Sequence, residues 1–509
     1  MVDVKFIYGV LAILYVSNTV TGKPPNIVFI LTDDQDSEIG GMTPMVKTKR
    51  LIANKGMTFE NMFVGTPVCC PSRSSIFTGK YLHNHLAINN SVEGNCSSPD
   101  FQRTQEINAF PVFMKQQGYS TFFAGKYLND YGEDNTGGVQ HVPPGWDSWV
   151  GLVGNSVYYN YNLSINGTRE THGSNYTKDY LTDVIHRRGM EFLGNQNDDK
   201  PFFMMLSTPA CHEPWTSAPQ YKDLFSDVVA QRTGSYNTHG KDKHWLIDQA
   251  ITPIPNDTAT YIDGIYRNRW RTLMSVDDMV EDVVSTLLKK FSLDNTYIFF
   301  SSDNGYHIGQ FSMPMDKRNL YEFDVRVPLL VRGPGIRPRS VNKDNVLNID
   351  FAATFMDLAG ATIPDYIDGM SIVPLLHDNA KEPFRIHFLT EYHGESIQTN
   401  PGCAQYDNQG IAYCHTYAHC QCEDAWNNTF TCVRYNDGHQ HYKYCEIADN
   451  DNFVEMYDLE RDPYEFMNIA KTADPDLVNQ LKSNLAQLSQ CVGPSCHGNT
   501  KLLKPNLLI

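Results

Sequence analysis

The feature that most limits how this chain can fold is a set of short, unbroken apolar runs, each stopping abruptly at polar residues. Residues 26–31 (NIVFIL) end in Thr32-Asp33-Asp34-Gln35-Asp36, and residues 296–300 (TYIFF) end in Ser301-Ser302-Asp303-Asn304-Gly305. Residues 202–206 lead into Thr208-Pro209-Ala210-Cys211-His212, residues 120–123 into Gly125-Lys126, and residues 327–331 into Arg332-Gly333-Pro334-Gly335. Runs without polar alternation suit strands buried on both faces, as in a parallel sheet covered by helices. Apolar residues spaced by three and four over 271–291, and a shorter amphipathic stretch over 350–358, supply such helices. The alternation predicts an α/β fold with a large, mostly parallel central sheet. Ligands of such sheets bind beyond the carboxyl ends of the strands, where the polar residues recur here.

Composition then narrows the partners. The chain carries 41 Lys+Arg against 58 Asp+Glu, a formal net charge of -17. That surface repels nucleic acid, so an anionic ligand needs a local cluster of cations or a metal. Lys5, the apolar run 6–16 and the small or polar residues 17–22 predict a signal peptide over 1–22, and no later segment is apolar for long enough to anchor the chain in a membrane. Asn-x-Ser/Thr patterns begin at Asn89, Asn95, Asn162, Asn166, Asn175, Asn256 and Asn427, as expected of a glycoprotein of the secretory pathway. Eight of the 12 cysteines lie beyond residue 400. In that compartment they favour disulfides, with zinc at Cys414, His415, His419, Cys420 and Cys422 as the minority alternative. The change in composition divides the chain into a catalytic domain over 24–380 and a smaller cysteine-rich subdomain over 381–509, with a helix near 476–489.

Asp33-Asp34 and Asp303-Asn304, each after a buried strand, form an oxygen-rich donor set suited to a hard divalent cation, calcium before magnesium. Either pair alone would more simply start a turn. Between them lies Pro67-Val68-Cys69-Cys70-Pro71-Ser72-Arg73-Ser74-Ser75-Ile76-Phe77-Thr78-Gly79-Lys80. On its residues alone this is a loop with paired thiols entering a short helix. Cys69 or Cys70 is then a disulfide partner or a thiol nucleophile, and Arg73 lies one helical turn from Cys69.

This stretch resembles the sulfatase signature Cys-x-Pro-Ser-Arg followed by Thr-Gly, and the likeness runs from about residue 24 to about 497. The resemblance implies an alkaline-phosphatase-like sulfatase sandwich with a smaller C-terminal α+β subdomain. It implies that Cys69 is oxidised to formylglycine by the formylglycine-generating enzyme and acts as nucleophile. One calcium ion is implied at Asp33, Asp34, Asp303, Asn304 and the modified Cys69. Arg73, Lys126 and Lys317 match cations that hold the sulfate, and His212 a histidine that protonates the leaving oxygen, which acidic conditions favour. His307 is expected either to contact substrate or to pack, and His83 and His85 to be structural. Where many arylsulfatase-type members carry a histidine two positions after the matching lysine, this chain has Leu128. The stretches 78–97, 122–131, 244–247, 301–328, 422–425 and 453–457 resemble the branch that removes 6-sulfate from N-acetylglucosamine of glycosaminoglycans. Exo action is expected, because the strongly basic insert of the related endosulfatases is missing, and the location is lysosomal or secreted. The alternatives are another sulfated carbohydrate or small sulfate ester, a two-zinc phosphohydrolase of related fold, or a non-catalytic binding protein on this scaffold.

Overall fold

The computed structural model describes residues 23–498 apart from 198, 378–382, 397–398, 407 and 415–417. The expected leader over 1–22, the expected boundary at 380–381 and His415 lie outside the described residues. The run at 26–31 becomes the strand Asn26–Thr32, buried along its whole length. It lies between Thr296–Ser302 and Phe202–Ser207 and runs parallel to both. Phe202–Ser207 pairs in parallel with Ser120–Gly125, and that strand with Ser148–Leu152.

The sheet has ten strands, and the parallel arrangement holds for this central group. Its edges are mixed. Leu329–Arg332 is antiparallel to both Thr296–Ser302 and Met57–Phe59, with Ser340–Asn342 beyond. At the other edge Asn162–Ile165 and Thr168–Thr171 form an antiparallel hairpin beside Ser148–Leu152. The 327–331 run returns antiparallel because the chain between it and Ser302 contains no crossover helix longer than the single turn Glu322–Val325.

Alternation along Asn26–Thr32 assigns the two faces. Ile27, Phe29 and Leu31 join a core with Phe77, Phe110, Phe351 and Phe355 from the helices Cys69–Thr78, Phe110–Gln116 and Asp350–Leu358. Val28 and Ile30 join Leu181, Val184, Val276, Val280 and Val283 from the helices Leu181–Asn195 and Asn256–Lys289. The second of these begins 15 residues before the expected start at 271. Its first half turns Ile262, Ile265 and Tyr266 into a smaller cluster beside the strand ends and buries Arg269, so charged residues mask the periodicity there.

Beyond residue 386 a four-stranded antiparallel sheet forms from His387–Tyr392, Phe430–Asn436, His441–Ile447 and Val454–Asp458. The helix Pro475–Leu488 packs on it through Leu481 and Leu485, which join the main core with Phe388, Leu389 and Val433. Tyr392, Phe430, Ile447 and Tyr457 instead pack against Phe311, Tyr321 and Phe323 of the catalytic region. Disulfides join Cys70–Cys96, Cys403–Cys422, Cys414–Cys420, Cys432–Cys445 and Cys491–Cys496, leaving Cys69 and Cys211 free. Pairing of Cys414, Cys420 and Cys422 removes the thiolates that zinc would need.

A buried ion pair fastens the two sheets. Both carboxylate oxygens of Asp350, at the start of its helix, take the Arg385 guanidinium at 2.6 and 2.7 Å. Asp350 also accepts the backbone N–H groups of Leu347 and Met370 at 2.8 Å each. Asp350→Asn strands the Arg385 charge in the core and is expected to cost about 3–5 kcal/mol, measured as a lower urea midpoint.

Candidate active site

Side chains of successive strand residues point to opposite faces, so two neighbouring carboxylates on a strand would not meet. The chain leaves Asn26–Thr32 by placing Asp34 at φ 62, a left-handed turn that breaks the alternation. Asp33 and Asp34 then converge on Asp303, and their carboxylate oxygens lie within 4.8 Å of one another. All three residues are at most 2% exposed. Asp303 accepts the backbone N–H of Asp34 at 3.0 Å and that of Asn304 at 2.8 Å, which locks the two strand ends together.

Cations surround the carboxylates. Lys126 Nζ donates to Asp33 at 2.7 Å, and Lys317 Nζ to Asp34. Arg73 Nε donates to Asp303 at 2.7 Å, while its Nη1 binds the Lys126 carbonyl and Ser207 Oγ, both at 2.8 Å. Burial alone would raise Asp33, but Lys126, His212, Arg73 and Lys317 outweigh it and hold the carboxyl well below its usual range. Asp34 is likewise lowered against burial, by Lys317 and His212. Asp303 goes the other way, pushed up to about 7 by burial and the Asp33 charge. Asn304 Oδ1 is buried with no hydrogen-bond partner, and Arg73 Nη2 is buried without one as well. An all-oxygen donor set with an orphaned amide oxygen fits a hard divalent cation, which Asp33, Asp34, Asp303 and Asn304 would hold.

Cys69 opens the buried helix Cys69–Thr78, where backbone N–H groups and the helix dipole favour an anion. Its Sγ lies 3.7 Å from Asp33 and 3.2 Å from Lys317 Nζ. Burial pushes the thiol up to about 12, so an unaltered cysteine here is a poor nucleophile. Glycine is required at two supporting positions. Gly79 ends the helix at φ +68, where a Cβ would meet Ile367 at 2.9 Å. Gly125, at φ +117, lets Lys126 leave its strand; a Cβ there would lie 1.8 Å from the Ser207 carbonyl.

His212 faces the cluster with Nε2 3.9 Å from Asp34. Its Nδ1–H donates to the Glu213 carbonyl at 2.7 Å, so Nε2 carries a proton only in the imidazolium form. Burial lowers the ring to about 4 although Asp33 and Asp34 oppose the shift. His307 sits differently. It is 2% exposed, its Nδ1 is 3.0 Å from Asp324, and it is not among the residues lining the cavity over the cluster. His83 and His85 pair with Glu391 and Ser75, as structural residues would. Leu128 is fully buried, while Asn129 beside it lines the cavity. Asn166, Asn175 and Asn256 are exposed, Asn89, Asn95 and Asn162 half-buried, and Asn427 buried.

Two residues escaped the sequence reading. Ser207, at a strand end like Asp33, anchors both Arg73 and the Lys126 carbonyl, and the strand-end rule could have found it. Ser156 donates to Asp33 at 2.5 Å from an irregular segment that no pattern marks. The cavity above, about 400 Å³, exposes Asp34, His212 and Lys317 and is walled by Asn129, Tyr306, Glu395 and Tyr413.

An α/β sandwich that gathers cations around carboxylates at the ends of its central strands, below an open cavity, is the layout of a hydrolase for anionic esters. Sequence comparison narrows the class. The Sulfatase family profile matches residues 25–361, and one described as N-sulphoglucosamine sulphohydrolase, C-terminal, matches 309–420. The chain belongs to the sulfatase family. It is 51% identical to human N-acetylglucosamine-6-sulfatase over 93% of this chain and 86% of that one. The Drosophila melanogaster extracellular sulfatase SULF-1 homolog is 43% identical over 71% of this chain but only 32% of its own length. A solved protein in complex with its substrate D-glucosamine-2-N,6-O-disulfate superposes with TM-score 0.72 at 24% identity, covering 91% of this chain and 97% of that one. That likeness establishes the fold.

Arg73→Lys keeps the charge but loses the planar fork that reaches Asp303, Ser207 and the Lys126 carbonyl together. Turnover of an aryl sulfate is expected to fall roughly 100-fold or more, with a cooperative thermal transition retained.

Proposed function

We propose that this sulfatase removes the 6-sulfate from N-acetylglucosamine at the end of a glycosaminoglycan chain, using calcium and a formylglycine made from Cys69. The observation that carries the reading is the state of Cys69. It is excluded from every disulfide, although adjacent Cys70 is bonded, and it is buried between Asp33 and Lys317 at the head of a helix. Burial raises the thiol there, which disfavours the thiolate and supports conversion of Cys69 to another nucleophile. The 51% identity to human N-acetylglucosamine-6-sulfatase supports the sugar, and Leu128-Asn129 fits the same branch.

When bound, calcium would offset the carboxylates and polarise a sulfate oxygen, and the hydrated aldehyde at position 69 would supply the attacking hydroxyl. Lys126, Lys317 and Arg73, whose Nη2 makes no hydrogen bond and lies 3.7 Å from Asp33, neutralise the other sulfate oxygens. Ser207 and the Lys126 carbonyl fix the Arg73 fork, so the donors need no rearrangement as charge develops. His212, held by the Glu213 carbonyl, turns Nε2 toward the cavity and gives its proton to the departing sugar oxygen. With Leu128 apolar, His212 and water carry the proton traffic. Maturation would require the formylglycine-generating enzyme, and hence passage through the secretory pathway to a lysosomal or extracellular destination. Among the described residues no helix is long and apolar enough to cross a membrane.

The test is sulfate release from oligosaccharides ending in 6-sulfated N-acetylglucosamine, with mass analysis of the Cys69 peptide. Release that stops with a calcium chelator, vanishes in Cys69→Ala and spares internal residues is the expected result. An unmodified thiol in active enzyme would defeat the reading.

The pH profile tests His212 separately. The imidazolium fraction grows as pH falls toward about 4, so kcat/KM should rise from pH 7 to pH 5. His212→Gln is expected to flatten that slope and lower kcat by on the order of 10²–10⁴.

A further inference from the structure

Lys317 stands in a segment with little regular structure, yet its ammonium must hold a fixed place between Asp34 and Cys69. From the catalytic side, backbone contacts restrain that segment. His307 N–H donates to the Asp316 carbonyl at 2.8 Å, Arg318 N–H to the Pro67 carbonyl at 3.1 Å, and Asn319 N–H to Asp324 at 3.0 Å. Arg318 is also paired with Asp316 at 2.7 Å within the segment, and Asp316 N–H donates to the His307 carbonyl at 3.4 Å. Further restraints come from the C-terminal region, and most of them are buried charges. Asn428 Nδ2 donates to the Arg318 carbonyl at 3.1 Å, and Glu395 takes the Arg318 guanidinium at 3.1 and 3.2 Å. Lys443 Nζ donates to the Leu320 carbonyl at 2.8 Å and bridges Glu322, at 2.9 Å, to Glu465, at 2.6 Å. Glu322 is also paired with Arg434, and Tyr321 Oη donates to Glu455 at 2.9 Å.

Such a network has a positional rather than a cohesive logic. Buried ion pairs contribute little net stability, because desolvation offsets attraction, but they fix geometry sharply. The bonds cluster on residues 318 and 320–322, directly after the lysine that meets Cys69.

We infer that the C-terminal sheet, with the turn Trp426–Asn428 that leads into it, is a positioning element of the active site. Asn428 and Lys443 hold the 318–322 segment and through it set the Lys317 ammonium against Asp34 and residue 69. The inference rests on the proposed role of Lys317 in the reaction. It assigns the C-terminal region a share in the chemical step without any contact from Asn428 or Lys443 to substrate.

The experiment is a double-mutant cycle on the full-length, matured enzyme with 4-nitrophenyl sulfate as probe. Asn428→Ala removes two hydrogen bonds and no charge. Lys443→Met keeps the length of the side chain and is an independent second variant should the first fold poorly. Each is expected to lower kcat roughly tenfold to a hundredfold, since small misplacements of a catalytic group are costly. KM should stay within about threefold, because the loss falls on the transition state. In a Lys317→Ala background neither substitution should reduce kcat further. Losses that multiply in that background would overturn the inference, as would normal kcat in both variants with only a lowered melting temperature. Wild-type kcat in Lys317→Ala alone would instead defeat the role given to Lys317, and the inference with it.

Discussion

The structure depends on a balance of buried charge. Asp33, Asp34 and Asp303 are withdrawn from water at the centre of a 509-residue chain, and Arg73, Lys126 and Lys317 are withdrawn with them. Isolated buried ions would cost far more than a fold of this size can absorb, so each must find a partner, and the partners must arrive from different parts of the chain. Three strand ends, one helix and one irregular segment therefore meet at a single point. The left-handed turn at Asp34, the glycine at 125 and the serine at 207 are local consequences of bringing them there.

The same balance explains how a protein of net charge -17 handles an anion. The general field of the surface repels sulfate, but the cations sit close to the strand ends in a region largely closed to solvent, where their attraction is poorly screened. Two cluster atoms remain without hydrogen-bond partners, Asn304 Oδ1 and Arg73 Nη2, the latter 3.7 Å from Asp33. One is an acceptor suited to a cation and the other a donor suited to an anion. The site thus reads as a receptor for both, with the protein's own ion pairs holding it in shape.

The C-terminal region completes this arrangement. Its sheet shares one core with the main sandwich and a second with the segment after Lys317, so it does not form a separate hydrophobic unit. Glu395, Tyr413 and Glu423 from this region wall the cavity together with Asn129. The charge cluster comes from the sandwich, and part of the cavity wall above it comes from the later part of the chain.

The sequence by itself determined what is local or periodic. Unbroken apolar runs required buried strands, their abrupt polar ends marked Asp33, Asp34, Lys126, His212, Asp303 and Asn304, and the Cys69–Arg73 spacing placed both on one helix turn. Clustered cysteines indicated disulfides because redox compartment and count can be read without coordinates. Only the tertiary structure decided which groups meet. Ser156 reaches Asp33 from a segment without pattern, His307 turns to Asp324 and away from the cavity, and Asn427 is covered. The mixed sheet edges and the hidden first half of the helix Asn256–Lys289 were likewise set by packing. Pattern reports how a residue relates to its neighbours along the chain; a buried charge is satisfied by neighbours in space, and those are fixed when distant segments close on one another.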